Sequence, residues 1–316
     1  MFKFIIRLSL FTVLSLIFAM GLDVMISKGL LNIEDYKFQV YNDIFKGDMN
    51  HEVLIMGNSR AFSHYNPRII DSICDIDSYN IGIGGAPINV QIAEYHCYKY
   101  HNTIPKVIVL EVDHITLFTL HDVKTNYDPE RFLPTVYDSV MRKELKELGY
   151  GFWDLFCPLY RYFGNQMYIK KGLIEFLGIK HIVMRPVYKG FSPEKDILKG
   201  QDVMKSLASS KAAFNEEAVA SFEDFLNECR DDGVYVLLVS SPLYIERTRK
   251  EEDVEKLFCY YDSIAQNYGY DYLNYTNDEL CYDTINFAQT VHLNAEGADK
   301  FSIKFAENLK SLHIIK

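Results

Sequence analysis

Val53-Leu54-Ile55-Met56-Gly57-Asn58-Ser59-Arg60 is the stretch that decides the fold. Its first four residues are apolar without alternation, the mark of a strand buried on both faces. Gly57 stops the run, and Ser59 follows within two residues. A serine at a strand-to-helix turn of a parallel sheet stands at the carboxyl edge. There its hydroxyl can enter a ligand crevice, and nearby N–H groups can face a developing negative charge. Gly-Asn-Ser is also ordinary turn chemistry, so its meaning depends on what other strands bring to that edge.

Working outward, strands and helices alternate. Asn66-Pro67 caps and opens a helix through Asp71. Ser78 to Ile81 reads as a second strand, broken by Gly82-Ile83-Gly84-Gly85-Ala86-Pro87, with a helix from Asn89 to Tyr100. Val107 to Val112 is a third strand. Glu216 to Arg230 is an amphipathic helix stopped at Asp232-Gly233. Val234 to Val239 is a fourth strand, Glu252 to Tyr268 a helix, Tyr270 to Leu273 a fifth strand, and Ala295 to Leu312 the last helix. This rhythm predicts an α/β fold: a three-layer, doubly wound, five-stranded parallel sheet with right-handed crossovers. Residues ~118–200 break the rhythm and read as a helical insertion after the third strand. A lid and a decoration that only packs are both consistent with that position.

The 316 residues suffice for one large domain with a cap, and 48% apolar content supplies its core. A net charge of −10 argues against nucleic acid as a partner. At the N-terminus, Lys3 and Arg7 precede an apolar run from Leu8 to Leu22. Residues 1–27 therefore read as a signal anchor, or as a signal peptide cleaved near Ala19-x-Gly21. By the positive-inside rule the rest lies outside the cytoplasm, as a single-pass membrane protein or, after cleavage, a secreted one. Residues 28–50 read as a stem and 51–316 as the α/β domain. The six cysteines form no CxxC pair, so a zinc ribbon is unsupported. Export permits disulfides, and separate buried thiols are the other reading.

A second polar element, Val291-His292-Leu293-Asn294-Ala295-Glu296-Gly297-Ala298, precedes the last helix. A doubly wound sheet brings Ser59 and His292 to one edge. Serine is a poor nucleophile until a base takes its proton, and imidazole titrates in the right range. With these blocks in order, the chain resembles the SGNH (GDSL-like) hydrolase and acyltransferase superfamily, in its DltD-like and alginate O-acetylation-like membrane-associated branch. Gly57-Asn58-Ser59-Arg60 resembles the nucleophile block, Tyr79-Asn80-Ile81-Gly82-Ile83-Gly84-Gly85 the oxyanion block, and His292-Leu293-Asn294-x-x-Gly297-Ala298 the histidine block. The resemblance covers residues ~51–115 and ~232–316.

The resemblance implies Ser59 as nucleophile, His292 as base, and N–H groups of Ser59 with Gly84 or Gly85 as the oxyanion hole. It implies no cofactor and no metal. It also implies an acyl-bearing polysaccharide or other ester as substrate, and a membrane-bound O-acyltransferase as partner. Asn58, Arg60, Asp113 and His114 are candidate substrate-binding residues, Arg60 for an anionic or polyhydroxyl group. His64 is a further histidine near the edge.

Two positions depart from the family pattern. The aspartate usual three residues before the histidine is Gln289, which leaves Gln289, Asp283 or Asp278 to orient the ring, or a Ser59–His292 dyad. The oxyanion-hole asparagine is replaced by Asp113. The reading is thus an extracytoplasmic serine esterase or O-acyltransferase. A catalytically weakened scaffold or carbohydrate-binding subunit is the alternative. A full GxGxxG or P-loop pattern is absent, as is clustered metal-ligand spacing.

Overall fold

The computed structural model describes residues 1–113, 116–117, 131–199, 215–249 and 254–315. The chain divides into two compact units. One combines residues 1–45 with 122–186, the other residues 46–121 with 187–316.

The second unit holds the sheet. Its strands are β1 (Val53–Met56), β2 (Ser78–Asn80), β3 (Val107–Glu111), β4 (Tyr235–Ser240) and β5 (Tyr272–Asn274), in the order β2-β1-β3-β4-β5 and all parallel. β5 begins two residues later than the pattern predicts. The order reverses between β1 and β3, so their carboxyl ends flank the switch point of the doubly wound sheet.

Side chains alternate across the strands and both faces are buried. Val53, Ile55, Val107, Val109, Leu237 and Val239 pack with Tyr65, with Ile70 of α2 (Pro67–Cys74), and with Phe301 and Phe305 of the last helix, α6 (Ala295–Ser311). On the other face Leu54, Ile108, Leu110, Val236 and Leu238 are fully buried. The helices α3 (Ile88–His101), α4 (Glu216–Asp231) and α5 (Val254–Tyr268) interlock through Tyr95–Phe225 and Phe222–Tyr261 ring contacts. These two faces make the three layers.

Two short elements went unanticipated. A six-residue helix, α1 (Ser59–His64), starts directly at the serine. A hairpin of β6 (Phe287–Gln289) and β7 (His292–Leu293) carries the histidine.

The first unit contains the helix Phe2–Leu31, the parallel pair Glu34–Asp35 and Val183–Arg185, and the helices Ser139–Glu147, Phe152–Phe156 and Gln166–Phe176. Residues 28–45 are packed structure rather than the expected stem. Ile26, Leu30, Ile33 and Phe38 form a buried cluster with Leu133, Tyr162 and Tyr168. Gly29 and Gly172 let two helices touch: a Cβ on Gly29 would lie 1.9 Å from the Gly172 carbonyl oxygen. The insertion expected over ~118–200 is divided between the units. Its described residues up to Pro186 join the N-terminal segment, whereas Val187 onward lines the sheet unit. There Lys189 O accepts from Asn80 N–H, and Ser192 N–H donates to Phe62 O. Residues 118–130 and 200 lie outside the described residues. All six cysteines are free thiols.

Candidate active site

The strand β1 ends at Gly57, whose φ of +144° lies in the region that glycine tolerates. A Cβ there would lie 2.6 Å from Glu111 Cβ, so β1 and β3 meet closely at their carboxyl ends. Asn58 caps α1, its side-chain oxygen accepting from Arg60 N–H at 3.0 Å. Ser59 is the first helical residue, so its N–H has no carbonyl partner inside the helix. Ile83 N–H donates to Gly57 O at 2.9 Å, which stitches the Gly82–Gly85 turn beside the serine. The expected oxyanion donors, Ser59, Gly84 and Gly85, thus belong to two adjoining turns on one rim.

Ser59 Oγ lies 2.7 Å from His292 Nε2, although 233 residues separate them. Both side chains are partly exposed, so a substrate can reach them. With the hydroxyl as donor, Nε2 is the unprotonated nitrogen and the ring proton resides on Nδ1, the tautomer a general base requires. Gln289 is the register partner of His292 across the hairpin, which puts both side chains on one face of the ribbon. The Asp283 carboxylate accepts from Ile285 N–H, and that of Asp278 from Leu280 N–H, as short-helix caps.

Three residues expected to bind substrate are buried and paired with one another. Arg60 is 3% exposed and pairs with Glu111 at 2.9 Å and Asp113 at 3.3 Å. It also donates to the Ser241 and Val112 carbonyls. Asn58 is buried and donates to Asp113 at 2.6 Å. The Asp113 carboxylate, buried by these partners and Thr116, is not offered to a substrate. Desolvating a cation and two carboxylates requires such mutual pairing. His114 lies outside the described residues.

Sequence reasoning missed the buried network beneath the pair. Glu111 is fully buried and receives Arg60, the Tyr65 hydroxyl and the Ser241 N–H and hydroxyl. Burial raises the Glu111 carboxyl above its usual range, while Arg60 opposes that shift. His64 Nε2 accepts from Leu293 N–H at 3.0 Å, and its Nδ1 contacts Ser241 Oγ at 2.8 Å. Burial foremost, then the Arg60 and His292 charges, hold the His64 pKa well below 6.5. His64 is therefore a neutral imidazole that fixes the residue after His292, rather than a substrate ligand. One available signal was polar chemistry at strand ends: Glu111 and Ser241 close runs that are otherwise apolar.

A cavity of ≈ 730 Å³ adjoins the hairpin turn. Gln289, Thr290 and Val291 line one side, and Lys195, Lys199 and Arg247 add cationic side chains opposed by Asp196.

No described protein family and no curated protein matches the chain. Solved structures are similar at low identity. A platelet activating factor protein, so described only provisionally, from Streptococcus pneumonia is 10% identical, with a TM-score of 0.45 over 88% of this chain and 92% of that one. A GDSL-like lipase from Bacteroides thetaiotaomicron is 11% identical, with a TM-score of 0.36 over 81% of this chain and 88% of that one.

Proposed function

We propose that the chain is a serine-dependent ester hydrolase or O-acyltransferase of the SGNH type. The 2.7 Å contact between Ser59 Oγ and His292 Nε2 carries this reading. In the proposed reaction His292 takes the hydroxyl proton as Ser59 Oγ attacks the acyl carbonyl. N–H groups of Ser59 and of Gly84 or Gly85 receive the oxyanion. The tetrahedral intermediate collapses to acyl-Ser59, and the alcohol leaves with the proton held by His292. Water or a sugar hydroxyl then attacks the acyl carbon, giving its proton to His292, which passes it to Ser59 Oγ as the acyl–Oγ bond breaks and the acyl group leaves on the acceptor.

The substrate we propose is an acyl ester, acetyl foremost, of cell-envelope polysaccharide, with a membrane-bound O-acyltransferase as partner. Resemblance to the DltD-like and alginate O-acetylation-like branch supports this. So does the exposed apolar helix, which by length and composition can cross a membrane; the positive-inside rule would then put Lys3 and Arg7 on the cytoplasmic side. For the cation that binds an anionic or polyhydroxyl group we propose, in place of the buried Arg60, Lys195, Lys199 and Arg247, which line the cavity at the hairpin turn preceding His292.

The test is p-nitrophenyl acetate turnover by the purified full chain. Ser59→Ala and His292→Ala should each lower kcat by about 10³-fold or more. Turnover that survives both substitutions contradicts the assignment. Gln289 favours one second reading, a catalytically weakened scaffold or carbohydrate-binding subunit, because an amide stands across from His292 where a carboxylate would stabilise imidazolium. Gln289→Asp discriminates: a rise in kcat supports an impaired triad that the carboxylate completes.

A further inference from the structure

We infer that the first unit carries an aromatic collar that seats it in the outer interface of a lipid bilayer, around the root of the N-terminal helix. The inference requires the helix to span a membrane but not Ser59 to be catalytic.

The helix Phe2–Leu31 changes character at one residue. Residues 1–18 are all exposed, and full burial begins at Asp23. The 22 residues before Asp23 extend roughly 33 Å as helix, close to the ~30 Å of a hydrocarbon core. Their only charged side chains, Lys3 and Arg7, lie at the far end. Asp23 is fully buried and accepts from the Tyr137 hydroxyl at 2.6 Å, from Leu159 N–H at 2.5 Å, and from the Arg161 guanidinium. Beyond it, the Gly29–Gly172 contact fastens the helix to Gln166–Phe176. The point where the apolar helix leaves the folded unit is therefore fixed, and it is where a spanning helix would meet the headgroups.

The collar stands at that point. Leu159, which bonds Asp23, precedes Tyr160, and the Tyr160 ring lies 6.2 Å from that of Trp153. Trp153 touches Phe152, which stacks on Phe156 at 5.4 Å. Phe152 is 68% exposed, Trp153 61%, Phe156 53% and nearby Phe163 89%. Such a contiguous exposed aromatic patch signals a binding surface. Trp153 and Tyr160 fit the headgroup region, where rings with one polar edge are enriched, and the phenylalanines beside them add apolar surface for the acyl boundary. Arg142 sits over the Phe156 ring at 5.4 Å, adding a cation at the level of lipid phosphates.

Trp153 is the chain's single tryptophan, so no substitution is needed to read its environment. The full chain is reconstituted into phosphatidylcholine–phosphatidylglycerol vesicles containing lipids brominated either near the headgroup or near the chain end. The inference predicts blue-shifted Trp153 emission, loss of most of the signal with shallow bromines, and little loss with deep ones. Emission typical of water without quenching, in protein that floats with the vesicles, overturns the collar and leaves the anchor standing. Blue-shifted but unquenched emission also overturns it, because protein rather than lipid then covers Trp153. Stronger quenching by deep bromines, or failure to float, overturns it as well. The combined substitutions Phe152→Ser, Phe156→Ser and Phe163→Ser should shift the emission back toward that of water, while protein still floats through its helix.

Discussion

At the residue scale, the site is two partly open side chains standing on a closed polar floor. Arg60 is the cation that pairs with both Glu111 and Asp113, so removing it leaves buried carboxylates without that counter-charge. Arg60→Ala should cost about 3–5 kcal/mol of stability, measurable from the guanidinium midpoint. His64 has the opposite problem, being buried as the uncharged imidazole. Its folded pKa lies below its unfolded value of about 6.5, so the unfolded state binds more protons as pH falls. Stability contributed by neutral His64 is full above pH ~6.5 and declines below it, by at most about 1.4 kcal/mol for each pH unit, until the folded pKa is reached. His64→Gln should flatten that acid-side slope in thermal melts; an unchanged slope would show that His64 is not the group responsible. Ser59 and His292 were legible in the sequence because each lies at the junction of an unambiguous element. The roles of Asn58, Arg60 and Asp113 were not, because adjacency along the chain does not reveal which side chains face inward.

At the element scale, the strands were legible to within two residues because unbroken apolar runs such as Val107–Leu110 have few other readings. The six-residue helix α1 was hidden: too short for periodicity, it rests on the Asn58 cap and the fit of Ala61 and Tyr65 under the sheet. The β6–β7 hairpin was hidden too, since three-residue and two-residue strands leave almost no alternation to count. The junction between β1 and α1 should tolerate substitution poorly. Gly57→Ala combines a left-handed φ with a Cβ clash against Glu111, and should destabilise by about 2–3 kcal/mol. Unfolding in guanidinium checks this, and a neutral effect would mean that β1 and β3 do not approach as described.

At the scale of the whole molecule, the five-stranded, parallel, doubly wound sheet followed from alternating elements, and so did the edge to which Ser59 and His292 come, whereas the order β2-β1-β3-β4-β5 is read from the structure. The grouping of residues 1–45 with 122–186 did not, because its fastenings are small or singular: two glycines that let helices touch, and one buried aspartate whose partners lie more than a hundred residues away. Neither leaves a pattern along the chain. The central claim is that the sheet edge turns Ser59 into a nucleophile through His292, and covalent labelling addresses it directly. The full chain is treated with a fluorophosphonate and digested, and the modified peptide is located by mass spectrometry. The account predicts a single adduct on Ser59 that disappears in His292→Ala. No adduct, an adduct elsewhere, or undiminished labelling of Ser59 without His292 would contradict it.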